Sequence, residues 1–241
     1  MKSILKVARN DFYVSGGSYN ENNIYISGGT WNNRISNNIP NPIYNINDYG
    51  SYVGEYRLQL PYVMVKIKEP WIRPLSPIMP PSCPFQPTDD EKIDAYFANY
   101  LMNPILEDNE IYRYSTYIAY QINEVISKLI SAKGKTNQST ISVGGNESIW
   151  QKDPPCLRLI SFKAIDGILR MTVFFRSWDL VSGFPENLGA LQLLKEYVLS
   201  LVNDNLSTQL IDGEIIAMSD GLHIYNQYDY LVDLLNFNTG L

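Results

Sequence analysis

"LRLISFKAIDGILRMTVFFRS", residues 157–177, contains two apolar runs that meet at Asp166-Gly167. An Asp-Gly pair between strand-like runs is a hairpin signal, because both central residues of the tight turn need positive φ. Folding the chain at that pair brings together positions that lie equally far from it. Cys156 and Arg176, about ten residues to either side, therefore fall at one end of the hairpin. Both runs carry apolar residues on both faces, so the sheet they enter needs cover on two sides.

Beyond the hairpin, "FRSWDLVSGFPENL" (175–188) packs Arg176, Ser177, Asp179, Glu186 and Asn187 into the seam between a strand and a helix. The helix is expected over Asn187 to Val202, burying Leu188, Leu191, Leu194, Val198 and Leu201 at helical spacing. Asn187 suits a helix N-cap, and Asp179 suits a cap or an arginine pair. Further on, "GEIIAMSDGLHIY" (213–225) reads as a strand pair or one bent strand, and a last helix is expected over 228–235.

Upstream, the near-repeat "YVSGGSY" (13–19) and "YISGGTW" (25–31) suggests a hairpin or meander. "YRLQLPYVMVKIKEP" (56–70) alternates as a strand with Val63, Val65 and Ile67 on one face, and a proline-rich stretch then denies helix and central strand. A first helix is expected from a capping box at Thr88 with Glu91, carrying Ile93, Tyr96, Phe97 and Tyr100 and ending at Asn103-Pro104. A second is expected over Tyr117 to Ala132, stopping near Gly134, and "STISV" (139–143) is a short strand. Strands and helices mix without regular alternation, which favours an α+β fold.

With 241 residues, 45% hydrophobic and 18% charged, the chain suits one globular domain. A net charge of −6 argues against a nucleic-acid or membrane partner, which would need a basic face. The start, "MKSILKVARND", does not read as a signal peptide, and two cysteines are too few for a disulfide framework. Reduced thiols in the cytoplasm are the expectation.

Cys156 sits in "DPPCLRL", where two prolines stiffen the approach to a strand. Taken alone it is most simply a small buried hydrophobe. Arg176 at the same hairpin end could instead favour its thiolate. His223 is the only histidine, with no second His or Cys cluster for a metal, and Tyr225 shares its strand face. Each residue alone has a structural explanation; together they suggest a nucleophile within a polar ligand site.

These segments resemble the thymidylate synthase family, folate-dependent enzymes that methylate deoxyuridylate. The resemblance runs through "PPCL" (154–157), "RSWDLVSGFPENL" (176–188) and "DGLHIY" (220–225), with "EIYRYSTYIAYQINEVISKL" (110–129) upstream. It spans roughly residues 90–235 and is closest to the short archaeal-type members around "EYRLQLPYVMVKIKEP" (55–70). It implies a twisted mixed sheet with helices on one face and the other face used for a homodimer. It implies a catalytic core over 86–241, with residues 1–85 a divergent strand-and-turn region packed on the same domain.

For the site, the resemblance implies Cys156 as the thiolate that adds to C6 of a uracil ring. Arg176 and Ser177 would bind the substrate phosphate, Asn187 the pyrimidine edge, and His223 with Tyr225 the deoxyribose hydroxyl. Asp179 would contact the pterin of 5,10-methylenetetrahydrofolate, and Tyr114 would help remove the C5 proton. No metal is implied. The chain departs from the family in "GKTNQSTISV" (134–143), which lacks the arginine pair a partner subunit usually donates to the phosphate; Lys133 or Lys135 is the substitute at hand. Leu157, Phe175 and Glu186 also replace usual residues, no motif selects between Glu91 and Asp94 as a catalytic acid, and no folate-closing tail follows the last helix. Three functions stay open: deoxyuridylate methylation, hydroxymethylation of a uracil or cytosine nucleotide, and a catalytically silent nucleotide-binding scaffold.

Overall fold

The computed structural model describes residues 24–27, 44–45, 56–60, 62–79, 81, 83–108, 110–228 and 230–231. The first copy of the glycine near-repeat and most of the last helix lie outside them. Strands β1 (Ile24–Ser27), β4 (Val63–Ile67), β5 (Thr140–Ser142), β6 (Leu157–Ile165), β7 (Ile168–Phe175) and β9 (Ile211–Ser219) form a six-stranded sheet in the order β1-β4-β9-β7-β6-β5. A smaller sheet runs β2 (Tyr44–Asn45), β3 (Tyr56–Leu60), β10 (Leu222–Tyr225), β8 (Trp178–Asp179). The helices are α1 (Asp90–Tyr96), which continues as a π-turn over Phe97–Met102, α2 (Ser115–Ile118), α3 (Ile122–Ser131) and α4 (Gly183–Asn203). This is an α+β architecture.

The β6–β7 hairpin forms as its sequence requires. Asp166 has φ 53 and Gly167 φ 76, both left-handed, and the antiparallel register runs from Ile165↔Ile168 to Leu157↔Phe175 with one irregularity between Leu157 and Leu159. Next to it, β7 pairs with β9 in parallel, a connection no tight turn can make. Helix α4 is the crossover. Its Leu191, Leu194, Val198 and Val202 are fully buried, each contributing about 1.5–3 kcal/mol relative to exposure. Leu201, expected in that set, is only half-buried. The helix shares one core with the inner residues Val65, Phe162, Met171, Val173, Ile215 and Ala217 of the large sheet. Their alternates Met64, Thr172, Phe174, Ile216 and Met218 lie half-exposed on the other face.

Two close contacts fix α4 in place. A Cβ on Gly189 would come within 2.7 Å of Ile93, so the glycine is what lets α1 approach α4. On its other side Lys195, fully buried, donates to Gly213 O and pairs with Asp212 at 2.9 Å, tying the helix to the start of β9.

Several boundaries differ from the sequence expectation, each for a local reason. Helix α4 begins at Gly183, because Pro185 falls in the first turn, where no N–H is needed. The cap of α1 is Asp89, which accepts from Lys92 N–H at 2.8 Å, while the Thr88 hydroxyl turns to Glu186. The second helix breaks into α2 and α3, where the Gln121 amide bonds both backbone groups of Ser142 on edge strand β5 at 2.8 and 3.0 Å. Residues 211–225 are neither a strand pair nor one bent strand. Strands β9 and β10 belong to different sheets, the chain switching between them at Asp220-Gly221.

Candidate active site

The site is built where the chain leaves the large sheet twice at one level. Phe175 and Ser219 are register partners at the ends of β7 and β9, and both segments then pair again in the small sheet. There Trp178 N–H donates to Gly221 O (2.9 Å) and Leu180 N–H to His223 O (2.7 Å), with Asp179 opposite His223. Gly221 sits close against Arg176 O and Gln59, a space a Cβ would enter at 3.2–3.3 Å. The sheet switch thus gathers Arg176, Ser177, Asp179, His223 and Tyr225.

Cys156 lies one residue before β6, and its carbonyl accepts from Arg176 N–H at 2.9 Å. The Arg176 guanidinium folds back on the segment leading to Cys156, donating from Nε to Pro155 O (3.2 Å) and from Nη2 to Pro154 O and Asp153 Oδ1 (3.1 Å). The arginine therefore braces the cysteine's approach and remains about one-third exposed. No disulfide joins Cys83 and Cys156.

Tyr114 precedes α2, and its hydroxyl accepts from Leu157 N–H at 3.3 Å, which sets the phenol beside the Cys156 peptide. It heads a cluster of tyrosines. Tyr114 meets Tyr100 edge-on at 5.1 Å and Tyr112 at 6.0 Å, and Tyr100 packs on Tyr96 at 4.9 Å. Burial, followed by the charge of Cys156, holds the Tyr114 hydroxyl well above the usual phenol range. Burial and then Glu110 push Tyr100 up to about 12. All these phenols are neutral proton holders at physiological pH.

Asn187 is the fifth residue of α4, so the helix-cap expectation is wrong. Its buried side chain reaches back to β8, where Oδ1 accepts from Trp178 Nε1 at 2.9 Å. Asp179 shapes the turn before the helix, Oδ1 accepting from Val181 N–H (2.9 Å) and Oδ2 from the Ser182 hydroxyl. His223 is buried, with Nδ1 2.9 Å from Gly221 O, an acceptor that puts the proton on Nδ1. The Tyr225 ring stands edge-on to it at 5.0 Å.

Other residues do not reach this site. Glu91 and Asp94 are exposed on α1. Lys133 and Lys135 flank Gly134, whose carbonyl bonds Ala164 N–H, at the hairpin-turn end of β6, roughly 26 Å from Cys156 at strand rise. Any reach to Cys156 would have to come from a second copy. Glu186 faces Thr88 (3.3 Å), not the Trp178 side that Asn187 faces, and burial raises its carboxyl above the ordinary range. Sequence reasoning missed Trp178, although it lies inside the polar seam, and Tyr112 and Tyr100, whose helical and loop spacing hides that they meet.

No family model matches the chain. Two archaeal proteins named "Putative thymidylate synthase", from Methanococcoides burtonii and Methanosarcina barkeri, are each 35% identical over 108 residues. That is 44% of this chain and 46% of each relative, so the match spans less than half the length of either. A Methanosarcina acetivorans protein of the same name is 26% identical over 145 residues, covering 57% of this chain and 63% of its own. The crystal structure of thymidylate synthase from T4 phage superposes with a TM-score of 0.57 at 16% identity, covering 80% of this chain and 76% of that one. The chain is thus thymidylate synthase-like, in fold over most of its length and in sequence over about half.

Proposed function

We propose that the protein transfers a one-carbon unit to C5 of deoxyuridylate, making thymidylate. The observation that carries this reading is the convergence of Cys156, Tyr114 and Arg176 at one end of the β6–β7 hairpin, within the same fold as Asn187, Asp179 and His223. In this reading the Cys156 sulfur forms a bond to C6 of the ring, and the C5–C6 π pair moves to C5 and O4. Asn187 stabilises the charge on O4, which grows as the ring accepts the pair. Tyr114, kept neutral by burial, relays the C5 proton outward after C5 is alkylated, and loss of the C6–S bond returns the thiolate. Arg176 and Ser177 hold the phosphate, and His223 with Tyr225 the sugar hydroxyl.

The residues fit methylenetetrahydrofolate by chemistry: the Asp179 carboxylate, which already accepts from Val181 N–H and the Ser182 hydroxyl, has acceptor capacity left for the N–H-rich edge of a pterin. When bound, that co-substrate supplies the methylene carbon and the hydride that reduces it, leaving as dihydrofolate. The half-exposed outer face of the large sheet, with Phe174, Ile216 and Met218, supports a homodimer in which this face is covered.

The test is product analysis after incubation with deoxyuridylate and methylenetetrahydrofolate. Thymidylate and dihydrofolate in equal amounts are expected. A 5-hydroxymethyl product without dihydrofolate would replace this reading with hydroxymethyl transfer, and no product of either kind would leave the scaffold.

A further inference from the structure

The amide of Asn187 is ambiguous by itself, since turning it over exchanges a donor for an acceptor at nearly the same place. Its neighbour removes the ambiguity. Trp178 Nε1–H can only donate, and at 2.9 Å it can be satisfied only by Asn187 Oδ1. The indole cannot swing away. It stacks on Phe175 at 4.0 Å with an interplanar angle of 6° and packs on Phe184 at 4.6 Å, and Trp178 is 3% exposed. Its backbone N–H is fixed to Gly221 O as well. Asn187 Nδ2, by contrast, makes no hydrogen bond among the described residues and is not sealed from solvent. Turning the amide over would set N–H against N–H in a buried place and leave the indole donor unpaired, a state that a close-packed interior penalises.

We propose that Trp178 is a specificity-determining residue that locks the Asn187 amide with its amino group toward the ligand, so that the site selects a pyrimidine bearing a carbonyl at C4 over one bearing an amino group. The inference rests on the proposed role of Asn187 as the base-reading residue. A locked donor pairs with the O4 of uracil. The 4-amino group of cytosine would meet it donor to donor, and the usual remedy, rotating the amide, is closed by the indole. The residue acts through Asn187 and touches no reacting atom; it positions the group that reads the base. A merely structural tether between β8 and α4 would weaken both nucleotides alike when cut, whereas a lock changes their ratio.

The experiment measures binding of deoxyuridylate, deoxycytidylate and the deoxynucleotide of 2-pyrimidinone, which has no substituent at C4. In the wild type deoxyuridylate is expected to bind tightest, with deoxycytidylate no tighter than the unsubstituted analogue. In Trp178→Phe, which keeps the stack and removes the N–H, the preference for deoxyuridylate over deoxycytidylate is expected to fall by about tenfold, the discrimination one hydrogen bond supports. A folded Trp178→Phe with an unchanged ratio overturns the lock. So does a wild type that binds deoxycytidylate more tightly than the unsubstituted analogue, a result that needs no variant and holds even if Trp178→Phe does not fold. A wild type that binds none of the three nucleotides overturns the proposed function itself, and the lock with it.

Discussion

Glu214 joins three strands on the outer face of the large sheet, accepting on one carboxylate oxygen from Arg170 Nε at 2.8 Å (β7) while Lys66 Nζ (β4) stands 3.1 Å away. Burial pushes its carboxyl up, yet hydrogen bonds from Arg170 and Lys66 outweigh that and bring it from 4.5 down to about 2. At 1.36 kcal/mol per decade of proton affinity, the linkage ceiling is about 3.4 kcal/mol. In the isolated chain Lys66 is 39% exposed and its share is screened by solvent, which leaves about 1–2 kcal/mol as the expectation for a protein whose outer face is wet. Because the folded-state value is depressed, the stabilisation is fully present above the unfolded value of 4.5 and is lost as the pH falls toward 2. Glu214→Gln keeps an acceptor and removes the charge. It should lower unfolding free energy by about 1–2 kcal/mol at pH 7, or a few degrees in Tm for a chain of this size. Urea titrations of both proteins at pH 7, 5, 4 and 3 measure this, with the gap closing only below about pH 4.5. A gap that stays constant across this range, or no gap at pH 7, would refute the assignment of an ionic clamp.

Two further predictions follow from packing. Gly189→Ala places a methyl within 2.7 Å of Ile93, a stiff and fully buried side chain, so overpacking of about 1–3 kcal/mol should exceed the roughly 1 kcal/mol gained in helix propensity. Chemical denaturation should show a net loss, and combining it with Ile93→Val should recover part of that loss; a more stable single variant would contradict the close crossing. The outer-sheet reading predicts a homodimer, so light scattering at micromolar concentration should give twice the 27.5 kDa chain mass, and Phe174→Glu should give the monomer. A monomeric wild type would count against it.

Legibility in the sequence followed the range of the physics involved. The hairpin was readable because Asp166-Gly167 carries its own conformational demand, and with it the nearness of Cys156 and Arg176. Local rules failed where a distant partner competed for the same group. Thr88 was expected to cap its own helix, but its hydroxyl serves Glu186, 98 residues away. Asn187 was expected to cap α4 if it served structure alone, yet Pro185 lets the helix begin earlier and Trp178 takes the side chain. The break between α2 and α3 was invisible because it depends on Gln121 meeting an edge strand 21 residues on. The parallel β8–β10 pair, which sets Asp179 opposite His223, joins segments far apart in the sequence, and no local pattern carries it.

The central claim is that Cys156 is a nucleophile toward a pyrimidine ring. Incubation with 5-fluoro-deoxyuridylate and methylenetetrahydrofolate, followed by intact mass measurement, tests it most directly, because fluorine at C5 cannot leave as a proton and the covalent complex accumulates. The account predicts one added mass equal to nucleotide plus folate per chain, mapped to Cys156 and abolished in a folded Cys156→Ser protein. An unmodified wild type that nevertheless binds the nucleotide, or an adduct that persists in Cys156→Ser, would contradict it.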